Sequence, residues 1–185
     1  AEAHLPLIGP LLEQSATAWA EVDPSAAGAS AATLHLIGGY LGIVHGRHDE
    51  VRQHVEGARR GVDSDPTRIL PLKALTAWSR AADGRKDAKR HLREAEAAQL
   101  PGGVWRNPSL LVIVDGYRLA GKHAAALTLI EPALESAREG RARHHEAELN
   151  RIKGELLAEA GTNPELAERH LIRALALASQ QSYRS

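Results

Sequence analysis

The sequence predicts an all-α chain built from repeated helix pairs. Three observations carry that prediction: an apolar content dominated by Ala and Leu, a glycine recurring at near-constant spacing, and one apolar stripe repeated in step with it. The chain has 185 residues, 43% of them hydrophobic, yet Phe, Met and Cys are absent and only three Trp and three Tyr occur. Leu, Ala, Val and Ile therefore do nearly all the packing. Alanine has the best helix propensity and lets neighbouring helices approach closely, whereas sandwiches and barrels draw on aromatic and β-branched residues.

The repeat comes first. Gly46, Gly84, Gly121 and Gly161 are separated by 38, 37 and 40 residues, and each stands between two helical stretches. The stretches that follow share a spacing of four then three: Val51, Val55 and Ala58; Ala88, Leu92 and Ala95; Ala126, Ile130 and Ala133; Ala167, Leu171 and Ala174. That spacing puts each triplet on one helix face.

Element by element, first helices are expected at about 29–45, 69–82, 108–120 and 145–160, and second helices at about 48–62, 86–98, 123–138 and 164–180. A further helix is expected near 6–21, ending at the turn signal Asp23-Pro24. Breaks fall at Ser64-Asp65-Pro66, Leu100-Pro101-Gly102-Gly103 and Gly161-Thr162-Asn163-Pro164, where Pro and Gly cluster. Asn163 offers a helix N-cap with Pro164 at the first helical position. Gly38-Gly39 sits badly in a helix interior, at ~1 kcal/mol per residue against Ala. The pair makes sense if two helix backbones cross closely there.

Charge and composition exclude several classes. Lys plus Arg and Asp plus Glu are both 23, so the formal net charge is zero, whereas strong nucleic-acid binders carry a basic excess. With no Cys there is no disulfide framework, thiolate metal site or thiol nucleophile. No apolar run approaches the roughly 18 residues needed to span a bilayer, and no signal-peptide pattern opens the chain. A cytoplasmic protein that binds neither membrane nor nucleic acid through this region is expected.

Candidate chemistry is incomplete wherever it occurs. Gly116-Tyr117-Arg118-Leu119-Ala120-Gly121-Lys122 fits the start of a phosphate-binding loop, but His123 stands where Ser or Thr should hold magnesium. His144-His145-Glu146 begins a zinc-helix pattern, yet Leu149 stands where the second ligand should be. His45 and His48 straddle Gly46 without a third ligand. The acidic pairs along the chain read as solvated helix faces. No enzyme activity, metal or cofactor is expected.

Gly39 and Gly154 stand where two helices of a pair would cross, Gly46 and Gly121 at turns, and Ala58, Ala95, Ala133 and Ala174 at the matching small position of second helices. With Tyr117 as a first-helix aromatic, this arrangement resembles the tetratricopeptide (TPR) repeat family over about residues 30–180. It departs from that family in its longer period than the usual ~34 residues, in lacking the early Trp, and in displaced prolines. The strings "AELNRIKGELLAEAG" and "AERHLIRALALASQQ" resemble the C-terminal helical repeats of large bacterial signalling ATPases and transcriptional regulators.

The resemblance implies a right-handed superhelix of about four helix hairpins plus the N-terminal helix, forming a single array over residues 1–185 with repeats at about 29–62, 69–98, 108–138 and 145–180. It also implies a concave face lined by first-helix side chains. Through the glycine register these are Leu36, Tyr40 and Ile43, then Lys73 and Arg80, then Leu111, Asp115 and Arg118, and finally Arg151 and Glu155. The expected function is non-catalytic binding of a protein or peptide segment, within a fragment of a larger signalling or transcription-regulating protein. That segment would carry an apolar anchor for Tyr40 and some acidic character for the arginines. The alternative is a small-molecule inducer held by Leu36, Tyr40 and Ile43.

Overall fold

The computed structural model describes residues 24–62, 66–98, 105–139, 143–161 and 163–182. Among these residues the chain is all-helical, with no strand. Its helices are α1 (Pro24–Val44), α2 (His48–Arg59), α3 (Pro66–Ala82), α4 (Ala88–Ala97), α5 (Arg106–Leu119), α6 (His123–Glu139), α7 (Arg143–Ala160) and α8 (Pro164–Ser182). Each expected helix from residue 29 onward has its counterpart; the one expected near 6–21 lies outside the described residues. No helix among the described residues is long and apolar enough to cross a membrane.

The recurring glycines end the odd-numbered helices. Gly46, Gly84, Gly121 and Gly161 all have positive φ, between 62° and 68°, the left-handed conformation that a Cβ penalises. At Gly46 the amide donates to the Ile43 carbonyl, and the next amide, Arg47, reaches back to Gly42. Gly84 with Arg85, and Gly121 with Lys122, make the same pair of bonds. This is the Schellman closure, which satisfies carbonyls a helix end would otherwise orphan. α8 starts as its sequence suggests: the Asn163 side-chain oxygen accepts the Leu166 amide at 2.9 Å, with Pro164 at the first helical position.

Across each turn the chain doubles back. His54 lies on Gly38, Val51 on Gly42 and His35 on Gly57, so positions rise on α2 as they fall on α1. In the last pair Glu146 meets Arg173, Asn150 meets His170 and Gly154 meets Leu171. Both pairs are antiparallel. Glycines in the helix interiors make the close approach possible: a Cβ on Gly154 would lie 2.6 Å from Leu171 Cγ, and one on Gly42 would lie 2.8 Å from Val51 Cγ2, while Gly39 faces α3 instead, where a Cβ would lie 2.9 Å from Leu75 Cδ1. The cost of Gly38-Gly39 is thus offset by helix contact.

Beyond the pairs, order is neighbour to neighbour. α1 packs on α3, α3 on α5 and α5 on α7, while α2, α4 and α6 each also touch the odd helix that follows. Even-numbered helices make no extensive contact with one another. The second-helix triplets form the seams: all twelve residues are buried except Leu171, which is partly so. The arrangement is helical and repeat-like.

α5 sits at the centre. Every residue from Ser109 to Tyr117 is buried, which marks a helix covered on all sides. Its run Val112, Ile113, Val114 has modest helix propensity, and tertiary burial overrides it. α1, α3, α4, α6 and α7 all contact α5.

Candidate functional site

The glycine register relates matching positions on the odd helices. Six positions before the turn glycine stand Tyr40, Trp78, Asp115 and Glu155. Trp78 and Asp115 are bonded directly: the indole Nε1 donates to the Asp115 carboxylate at 2.7 Å, with both groups buried. The other Asp115 oxygen accepts Arg118 Nε at 2.9 Å. Arg118 then reaches α7, at 2.8 Å from Glu159 and 3.5 Å from Glu155. Arg151 in turn grips Glu148, with its Nε 3.0 Å from both carboxylate oxygens, and also pairs with Glu155. His123 Nε2 adds a contact to Glu159 at 3.4 Å.

This network holds its arginines firmly charged. Burial works against the charge of Arg118 and of Arg151, but the carboxylates around each keep both pKa values above the ordinary arginine value. Two guanidinium groups thereby face four carboxylates, Asp115, Glu148, Glu155 and Glu159. Among the described residues, carboxylates outnumber guanidinium groups in this network.

Beside the network lies a cavity of about 490 Å³ between α1, α7 and α8. Val44, Ala147, Leu171, Ala174, Leu175 and Ala178 form its aliphatic wall, with Tyr40, Glu148 and Arg151 as its polar members. Tyr40 is braced by the His145 ring, whose centroid is 5.6 Å away. Its phenol is pushed well above its ordinary pKa by burial and by the charge of Glu148, so its hydroxyl remains a proton donor. Large apolar side chains stay open to solvent here: Leu175 is 69% exposed and Val44 37% exposed.

Several sequence-derived assignments need correction. Leu36, Ile43, Leu111 and Asp115 belong to the interior instead of lining an open wall; Asp115 is 3% exposed. They are covered because α1 packs on both α3 and α5. In the second repeat the assignment was one position off, since Ala74, Trp78 and Ala81 occupy the register of Leu36, Tyr40 and Ile43 and are all buried. Lys73 points to solvent, and Arg80 is tied to Asp87, with Nε 3.0 Å from Oδ1. Tyr40 and Arg151 meet at the cavity, and Asp115, Arg118, Arg151 and Glu155 share one network.

Register alone could have found Trp78, because it lies 37 residues before Asp115, one repeat apart. The cavity could not be read in this way. It joins the first described helix to the last two, a closure that no local pattern encodes.

The weaker chemical motifs resolve into packing. The phosphate-loop-like string is the end of α5 and its glycine turn, with Gly116 against Leu92 and Tyr117 bonded to Glu96 at 2.7 Å. Glu146 receives Arg173 at 2.8 Å and Arg138 at 3.2 Å. Burial would raise its pKa, but these hydrogen bonds hold it below the ordinary carboxylate value. Among the described residues no group of three or more His, Asp or Glu is placed to hold a metal ion. Compared with known proteins, the chain matches no family model and no curated relative.

Proposed function

We propose that this chain is a TPR-like binding module, a superhelix of helix hairpins whose inner face holds a segment of a partner protein at the α1–α7–α8 cavity. One observation carries the reading: the cavity is walled by aliphatic side chains, of which Val44 and Leu175 remain exposed to solvent, with a partly buried tyrosine at one side. An apolar side chain of a partner would remove that surface from water at about 25 cal/mol per Å². Aromatic anchors in such pockets contribute disproportionately to affinity. The glycine turns, the antiparallel pairs and the neighbour-to-neighbour packing support the TPR-like reading. The two strings in the last repeat support a place within a larger signalling or transcription-regulating protein.

Panning a random peptide library displayed on phage against the folded chain tests this. Enriched peptides should bind the wild type and lose at least about tenfold in affinity for a Val44→Ser/Leu175→Ser variant, two partly exposed apolar groups worth ~1.4 kcal/mol together. Absence of any enriched peptide, or equal binding to the variant, would remove the assignment. A second reading, an apolar small-molecule inducer, is favoured by the volume, since ligand pockets run to roughly 300–1,000 Å³. A thermal-shift screen with neutral apolar compounds separates it: stabilisation that the same variant abolishes would favour the inducer.

A further inference from the structure

The wall beside the cavity has a charge sign, and it is opposite to the one the arginines suggest in isolation. Arg151 lines the cavity, yet Glu148 and Glu155 already occupy its donors. Arg118 is similarly committed to Asp115, Glu155 and Glu159. An incoming carboxylate would have to displace one of these partners and sit among the remaining acids. An incoming ammonium or guanidinium meets the reverse situation. Glu155 and Glu159 have side chains 32% and 40% exposed, and the arginines they share leave part of their charge uncompensated.

The acids are laid out along one helix. Glu148, Arg151, Glu155 and Glu159 follow one another on α7 at spacings of three and four, which places them on one face. At ~1.5 Å per residue, Glu155 and Glu159 stand about 6–12 Å beyond Arg151 along the axis. The trio of Glu146, Arg138 and Arg173 carries a positive excess and, like Glu155 and Glu159, lies outside the cavity lining; both of its arginines are committed to Glu146.

From this complementarity we infer that the cavity takes a basic amphipathic segment. A bulky apolar side chain would enter between Tyr40, Val44 and Leu175, while a Lys or Arg reaching past Arg151 toward the C-terminal half of α7 would pair with Glu155 and Glu159. This rests on the reading of the chain as a peptide-binding module, and it replaces the acidic partner expected from sequence. Such pairs lie at the rim, so they steer association and set partner choice more than they add affinity.

A charge swap at one exposed cavity residue tests the sign. Leu175→Lys and Leu175→Asp both remove the same apolar side chain, and at 69% exposure neither threatens the fold. With the tightest peptide from the phage library as a labelled probe, Leu175→Lys should bind at least about fivefold more weakly than Leu175→Asp, at low salt. The gap should shrink as salt is raised. The library binders themselves should be enriched in Lys and Arg beside a bulky apolar residue. Equal affinities for the two variants, the reverse order, or an acidic consensus would overturn the inference while leaving a peptide-binding module in place. A library that yields no binder would instead remove the module reading itself, and the inference with it.

Discussion

Gly84 and Gly154 show two distinct reasons for the same residue type. At Gly84 φ is 63° and a Cβ would meet nothing within 4 Å, so the side chain is excluded by the backbone alone. Gly84→Ala should therefore cost ~1–2 kcal/mol, and no trimming of neighbours should recover it. Gly154 has ordinary helical backbone, but its Cβ would press on Leu171 Cγ at 2.6 Å and on the Ala167 carbonyl oxygen at 3.0 Å. Gly154→Ala should lose ~1–3 kcal/mol to overpacking, less the ~1 kcal/mol that Ala gains in helix propensity. Adding Leu171→Ala should recover part of the overpacking loss. Urea unfolding of the two single variants and the double variant checks this: additive behaviour at Gly154 and Leu171 would contradict it. The turn glycines were legible in the sequence because their spacing repeats. The crossing glycines were legible only in outline, as glycines out of place in a helix.

At the scale of the element, the α1–α2 pair contains a feature no pattern announced. His35 and His54 lie with their Nδ1 atoms 3.1 Å apart, and each ring fills the notch left by a glycine on the opposite helix, Gly57 and Gly38. One nitrogen must donate and the other accept, so two imidazolium ions cannot occupy this seam without repulsion. Burial lowers both pKa values below the ordinary 6.5; Arg60 adds to the effect at His35, and His35 adds to it at His54, while Glu50 opposes. His170 is lowered too, first by burial and then by Lys153, with Glu131 opposing. A histidine whose folded pKa is depressed contributes its full stability above the unfolded value. As the pH falls through about 6.5 the unfolded chain takes up protons that the folded chain refuses. The melting temperature should therefore fall progressively below about pH 6.5, and His54→Gln should flatten part of that slope. Melts followed by circular dichroism from about pH 7.5 to 5.5 decide the matter, and a flat profile in the wild type would refute it. The helices themselves were readable because the stripe and the glycine recur together. The histidine pair was not, since its members sit 19 residues apart on faces that only the antiparallel turn brings together.

For the whole molecule, the decisive property is that a neighbour-to-neighbour array also brings its first described helix against its last pair, at one ring contact and one cavity. In a strictly linear array stability is a sum of local and adjacent terms, and a change in the first helix stays there. Here Tyr40 of α1 meets His145 of α7, although those helices belong to the first and last described pairs, and α5 is buried between them. Residues 36, 40, 43, 111 and 115 therefore read from sequence as an open wall, while the structure encloses most of them. Three repeats keep one spacing from the turn glycine, but curvature is a property of the sum of packed interfaces and has no signature in one. The closure makes a prediction that a linear array does not. Tyr40→Ala removes a partly buried ring, at a cost of at most ~3 kcal/mol, and enlarges the cavity it shares with α7 and α8. Amide hydrogen exchange should then rise in the C-terminal half of α1 and in the N-terminal half of α7, over 100 residues away in sequence, while α4 keeps its protection. Coupling of that kind, skipping the intervening pair, requires the two ends to share an interface. Faster exchange confined to α1 would mean that the ends merely lie close, and that the cavity between them does not join them.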